Sequence, residues 1–175
     1  YGSGRLKIGK RGDFVTSPSL GSDFANLLAN QIKEWFDQIS LVNDRDKLSL
    51  IEIGPGEGTL SYDLISQIKI ISPKIYNQLE LILIETNSGF IKRQKELLLD
   101  KFDISIRWSS LEELSDSPVV GVVIANEFLD ALPVERITLK DKSLYKQDVE
   151  LIEVNREYFI QTIESDLPDY MFSSI

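Results

Sequence analysis

From Ser22 to Ile39 the apolar residues return at helical spacing. Phe24, Leu27, Leu28, Ile32, Trp35, Phe36 and Ile39 fall on one stripe, and Ser22 stands where an N-cap belongs. The period then changes. Leu48 to Ile53 is a compact apolar run that predicts a first strand, followed by a glycine-rich turn and a helix carrying Leu60, Leu64, Ile65 and Ile68. Ser72-Pro73 closes that helix. "LELILIET" predicts a second strand, "SGFIKRQKELLLDKF" an amphipathic helix, "DISIRWSS" a third strand, "SLEEL" a short helix and "VVGVVIAN" a fourth strand. Near-continuous apolar strands separated by helices predict an α/β fold, a parallel sheet with helices on both faces. Beyond Pro133 strands follow strands. "VERITLK", "QDVELIEV" and "EYFIQTI" alternate and predict an antiparallel β meander, with "NRE" as one turn. The chain thus divides into a Gly, Ser and Lys/Arg-rich arm over 1–21, an α/β core over 22–133 and a meander over 134–175.

Composition narrows the chemistry. The 175 residues suffice for one domain with a real core, and no apolar run is long enough to span a membrane. The net charge of −9 argues against a nucleic-acid partner, whose phosphates need a basic face, and favours a basic one. Cysteine and histidine are both absent. Disulfides, Cys/His metal sites, thiol nucleophiles and Ser-His-Asp triads are excluded with them, so no metal centre is expected and any general base is Asp, Glu, Lys, Tyr or a backbone group.

The turn after the first strand carries Gly54, Gly56 and Gly58 at alternate positions. A strand that enters a helix through glycines is a nucleotide-binding device, because the backbone can turn sharply and approach a ligand without a Cβ. A dinucleotide site would place its third glycine at position 59, which is Thr. The G-x-G-x-G spacing after "hydrophobic-Glu-hydrophobic" instead resembles the first motif of class I S-adenosylmethionine-dependent methyltransferases. That resemblance implies that the glycines make room for the methionine part and ribose of S-adenosylmethionine. Glu85, ending the second strand, is placed to accept the ribose hydroxyls, or is a solvated strand-end charge. Glu52 points from the first strand towards the turn, as a cofactor contact or as a capping group.

Three further stretches narrow the resemblance. "GDFVTSPSL", "IETNSGFIKRQKELL" and "VVIANEFLDALPVERI" follow one another in the order seen in the MidA-like methyltransferases, the family of the mitochondrial complex I assembly arginine methyltransferase. Family proteins are longer, so the chain resembles the front portion of such an enzyme. The resemblance implies a class I Rossmann-like sheet, a protein substrate presenting arginine, and a site in the cytoplasm of a bacterium or the mitochondrial matrix of a eukaryote. It also implies that Asp13, Phe14 and Thr16 fold over the cofactor as a lid, with a packing turn as the alternative, and that the meander is a substrate-side insertion. Ser110 and Leu111, after the third strand, are expected to border the adenine.

In an open α/β sheet the ligand lies beyond the carboxyl ends of the strands, at the switch point. "NEFLDALP" leaves the fourth strand there and offers Asn126, Glu127 and Asp130. Two carboxylates within one helical turn can hold a guanidinium in a fork and localise its charge on one nitrogen. The bland alternatives are a loop-holding Asn126-Glu127 and a capping Asp130. A non-catalytic assembly protein and a small-molecule methyltransferase remain open beside the arginine reading. A NAD-dependent oxidoreductase is disfavoured by Thr59 and the absence of His and Cys.

Overall fold

A computed structural model of the chain describes residues 22–42 and 47–167. The expected lid residues Asp13, Phe14 and Thr16 lie outside the described residues. The chain divides into two compact units after Ala131.

The first unit opens with helix α1 (Asp23–Val42) and strand β1 (Leu48–Ile53). Helices α2 (Thr59–Ile71) and α3 (Pro73–Gln78) lead into β2 (Leu79–Ile84). Helix α4 (Ser88–Leu98), β3 (Ser105–Ser109), α5 (Leu111–Asp116) and β4 (Gly121–Ile124) follow, ending in a 3-10 turn at Leu129–Ala131. The four strands are parallel, in the order β3-β2-β1-β4. The chain steps outward from β1 through β2 to β3, then returns to the other side of β1. The switch point therefore lies between β1 and β4.

One face of this sheet holds the main core. Leu48 and Leu50 of β1, Leu79, Leu81 and Leu83 of β2, and Val122 and Ile124 of β4 meet helices α1 to α4 there. Alternation sends Ile51, Ile82 and Ile84 to the opposite face, where Leu114 of α5, Ile53 and Val119 partly cover them. Val123 pairs with Ile51 across the β1–β4 ladder and is 58% exposed, so this second face is thinly covered among the described residues.

Several elements differ from the sequence expectation. The buried stripe of α1 is Ala25, Ala29, Ile32 and Phe36, with Leu28 and Ile39 half-buried, whereas Leu27 and Trp35 are exposed. Small alanines let α1 approach its neighbours closely; Phe24, Leu28, Ile32, Phe36 and Ile39 pack on the core as expected, and bulk misplaced only Leu27 and Trp35. Pro73 ends α2 but also begins α3, since proline at the first helical position lacks only an N–H that has no helical partner there. Helix α4 stops at Leu98, well short of Phe102, because Leu99 is extended and Asp100 takes a left-handed φ of 62°.

The second unit is a three-stranded antiparallel sheet, β5 (Arg136–Lys140), β6 (Ser143–Val154) and β7 (Glu157–Asp166). Each link is a two-residue turn with both residues at positive φ, Asp141-Lys142 and Asn155-Arg156. This is the type I′ pattern whose twist matches that of the paired strands.

Candidate functional site at the carboxyl ends of the strands

The ladder registers bring the sequence-predicted residues to one edge of the first unit. Gly54 donates its N–H to Ile84 O at 3.0 Å, which extends the β1–β2 pairing into the glycine turn and sets that turn beside Glu85. Ile84 pairs with Ser109, so Ser110 and Leu111 follow on from Glu85's other flank. Glu52 pairs with Ile124, which places the segment beginning at Ala125 next to the start of the turn. Gly54, Gly56, Gly58, Glu85, Ser110, Leu111, Asn126, Glu127 and Asp130 thus all lie along the carboxyl edge of the sheet.

All three glycines of the turn have positive φ, 68°, 55° and 83°. Two of them also answer to neighbouring protein atoms. A Cβ on Gly54 would lie 2.6 Å from Phe128 Cδ2, and one on Gly58 would lie 3.2 Å from Gln94 Cγ. The close approach at these positions is therefore to a ring from the post-β4 segment and to a side chain of α4, not to a ligand alone. Phe128 and Gln94 were not singled out from the sequence. The signal for them, an aromatic and an amide within otherwise matched blocks, carries no distance information.

Gly58 caps α2 in the left-handed conformation and supplies no side chain to its orphan N–H groups. Glu52 fills that role from the strand. Its carboxyl accepts from both the hydroxyl and the backbone N–H of Ser61, at the third position of α2. Of the two readings for Glu52, the structure displays the capping one: the side chain is buried and committed to Ser61. Burial pushes this carboxyl up from an ordinary 4.5 to about 7, against the opposing pull of the two Ser61 donors.

This buried acid makes stability pH-dependent. Between about 4.5 and 7 the folded protein holds the proton and the unfolded chain has released it. Stability is thus fullest below that window and falls as pH rises through it, by at most about 1.4 kcal/mol per unit. Glu52→Gln keeps the shape and removes the titration. In urea denaturation across that range, wild type should lose ground steadily to the variant as pH rises. A gap that stays constant with pH would refute the buried-acid assignment.

Glu85 is half-buried, and its Oε1 accepts the N–H groups of Thr86 at 2.9 Å and Asn87 at 2.8 Å. The carboxylate is held by its own loop, with Oε2 left as a further acceptor. Asn87 in turn caps α4, accepting from Gly89 N and Phe90 N.

Ser110 is the N-cap of α5 in a capping box with Glu113. Its Oγ accepts from Glu113 N at 3.2 Å, and Glu113 Oε2 accepts from Ser110 N at 3.1 Å. Leu111 is exposed at the first position of that helix.

After β4 the expected helical spacing of Glu127 and Asp130 is absent. Glu127 takes a left-handed φ of 48°, and the 3-10 turn begins only at Leu129. Asn126 is half-buried, whereas Glu127 and Asp130 are exposed. A non-glycine residue at positive φ is uncommon and concentrates at functional loops, where surrounding contacts hold it.

Comparison with known proteins bears on this edge. A family model for S-adenosyl-L-methionine-dependent methyltransferases matches residues 27–173. The mitochondrial protein arginine methyltransferase NDUFAF7 of Xenopus tropicalis is 29% identical over 152 residues, covering 74% of this chain and 34% of its own length. The NDUFAF7 homolog of Caenorhabditis elegans is 27% identical over 148 residues, covering 74% and 33%. The chain therefore spans about a third of the length of the curated relatives it matches. A crystal structure of a superfamily member from Burkholderia thailandensis, bound to S-adenosyl-homocysteine, superposes with a TM-score of 0.69 at 23% identity. That superposition covers 97% of this chain and 42% of the other, and it establishes the shared fold. Since the matched span takes in the glycine turn, Glu85 and the whole post-β4 segment, the chain belongs to the S-adenosyl-L-methionine-dependent methyltransferase family.

Proposed function

We propose that the chain binds S-adenosylmethionine at the carboxyl edge of its sheet and that the protein methylates arginine in a protein substrate. The observation that carries the cofactor reading is the bond from Gly54 N–H to Ile84 O, which holds the glycine turn and Glu85 side by side. The turn offers backbone at Gly56 without a Cβ, and Glu85 offers an acceptor to a pair of ribose hydroxyls. Ser110 and Leu111 border the adenine in this arrangement. When bound, the cofactor supplies an electrophilic methyl group on a sulfonium. The protein's part is to hold the acceptor nitrogen in line and to receive one proton.

The arginine reading is supported by the names of the relatives and by the exposed carboxylates of Glu127 and Asp130 at the switch point. A basic protein partner also suits a chain of net charge −9. The names of the relatives support a mitochondrial location in a eukaryote. Among the described residues no helix is long and apolar enough to cross a membrane.

Calorimetry with S-adenosylhomocysteine tests the cofactor reading. Glu85→Gln should weaken binding roughly tenfold or more, since charge-assisted hydrogen bonds are worth about 1.5–3 kcal/mol. An unchanged dissociation constant would move the ribose to another acceptor. The absence of any binding by wild type would remove the cofactor reading altogether.

A further inference from the structure

Gln94 is an uncharged polar side chain with no solvent exposure, in the middle of helix α4. Burying an amide is costly unless both of its ends are paired. Here both are. Nε2 donates to the carbonyl of Gly56 at 2.7 Å, and Oε1 accepts from Trp108 Nε1 at 2.7 Å. Indole nitrogen is only a donor, so it fixes the amide's orientation: oxygen towards Trp108, nitrogen towards the turn. The preceding residue grips the same turn, with Arg93 Nη1 on Glu57 Oε1 at 2.8 Å. Gly58 packs against the Gln94 stem, so the turn is held at three successive points by one stretch of α4.

We propose that Gln94 is the positioning residue that keeps the glycine turn in its cofactor-ready form, and that Trp108 senses the turn through the same amide. The physical reason lies in the peptide plane. In a planar trans peptide the C=O and the following N–H point in opposite directions. Fixing the Gly56 carbonyl towards α4 therefore turns the Glu57 N–H away from α4, as a donor for the ligand. Gly56 lies in the left-handed region, and a glycine can leave that region easily unless something holds it. Without Gln94 the peptide is free to flip, and the donor is lost for part of the time. This inference rests on the cofactor reading for the ligand's identity, but not for the state of the turn.

The test uses the 175-residue chain and Gln94→Met, which keeps length and volume while losing both hydrogen bonds. Hydrogen exchange of the ligand-free protein is read at Gly58, whose N–H donates to Pro55 O at 2.8 Å across the turn, and S-adenosylhomocysteine affinity is read by calorimetry. Indole fluorescence is followed during titration. Gln94→Met should exchange faster at this turn, bind about three- to tenfold more weakly, and show a smaller fluorescence change on binding. Its melting temperature should fall far less than a global loss of packing would demand. Gln94→Glu keeps the acceptor for Trp108 but donates to Gly56 only when protonated. Its affinity should recover as pH is lowered, relative to wild type, which a purely structural role would not produce. Unchanged exchange at Gly58 in Gln94→Met, with a lowered melting temperature, would overturn the proposal whatever the ligand. Faster exchange at the turn in a protein whose wild type binds no S-adenosylhomocysteine would support the positioning role and overturn the cofactor reading instead.

Discussion

Gly121→Ala should be among the most destabilising single-methyl additions in this chain. A Cβ at Gly121 would stand 1.7 Å from the carbonyl oxygen of Ser49 and 2.6 Å from its carbonyl carbon. Both are backbone atoms of β1, so no side-chain rotation relieves the clash. Ser49 is itself buried, and its N–H is bonded to Val120 O at 3.0 Å. The first pair of the β1–β4 ladder, Ser49 with Gly121, would have to separate. Overpacking a well-formed core costs about 1–3 kcal/mol and occasionally more. A displaced backbone pair with its lost ladder bonds belongs at the upper end, about 3 kcal/mol. Urea denaturation should register that loss, with a melting temperature lower by roughly 6–12 °C for a chain of this size. A change within about 0.5 kcal/mol, the range of an ordinary surface substitution, would mean that β4 does not approach β1 as described.

The second large effect is on turnover. Glu127→Gln should leave S-adenosylhomocysteine affinity intact and lower kcat/KM for a protein arginine substrate by roughly ten- to a hundredfold. The amide preserves length and the backbone conformation of the residue. It removes the negative charge that a guanidinium would meet, and with it the stronger charge-assisted hydrogen bonds. The left-handed φ of Glu127 motivates the expectation, because non-glycine residues held in sparsely populated backbone regions cluster at active sites and ligand clamps. The assay is transfer of labelled methyl to extract proteins, with the product identified as methylarginine. Labelling at the wild-type rate would make Glu127 a loop-holding residue. A methylated small molecule in place of methylarginine would transfer the whole site to another substrate class.

Local pattern sufficed wherever one period dominated. β1 has the expected bounds, its run apolar but for Ser49 and Glu52, and β2 starts where "LELILIET" does but ends two residues earlier, at Ile84. Capping chemistry at Ser110-Glu113 is equally local, since donor and acceptor lie three residues apart, although the sequence expectation set Ser110 beside the adenine and named no cap there. The meander's turn at Asn155-Arg156 was legible because Asn tolerates positive φ. Asp141-Lys142, which makes the same kind of turn, lies inside a run of alternating polarity and gives weaker notice. Its pairing of Ser143–Lys146 with β5 extends β6 four residues beyond the sequence expectation.

What the sequence determined by itself was the order of the strands and of the helices other than α3, the parallel sheet, the glycine turn and its family, because each depends on residues close together in the chain. What only the tertiary structure decided was which atoms press on that turn. Gly54 lies under the ring of Phe128, seventy-four residues away, and Gly56 is held by Gln94, thirty-eight residues away. Glu52 is a buried cap for α2 because the strand aims it at Ser61 and away from water. Glycines at alternate positions announce that something comes close to the backbone. Whether it is a ligand, a ring or an amide is a question of distance between segments that only packing brings together.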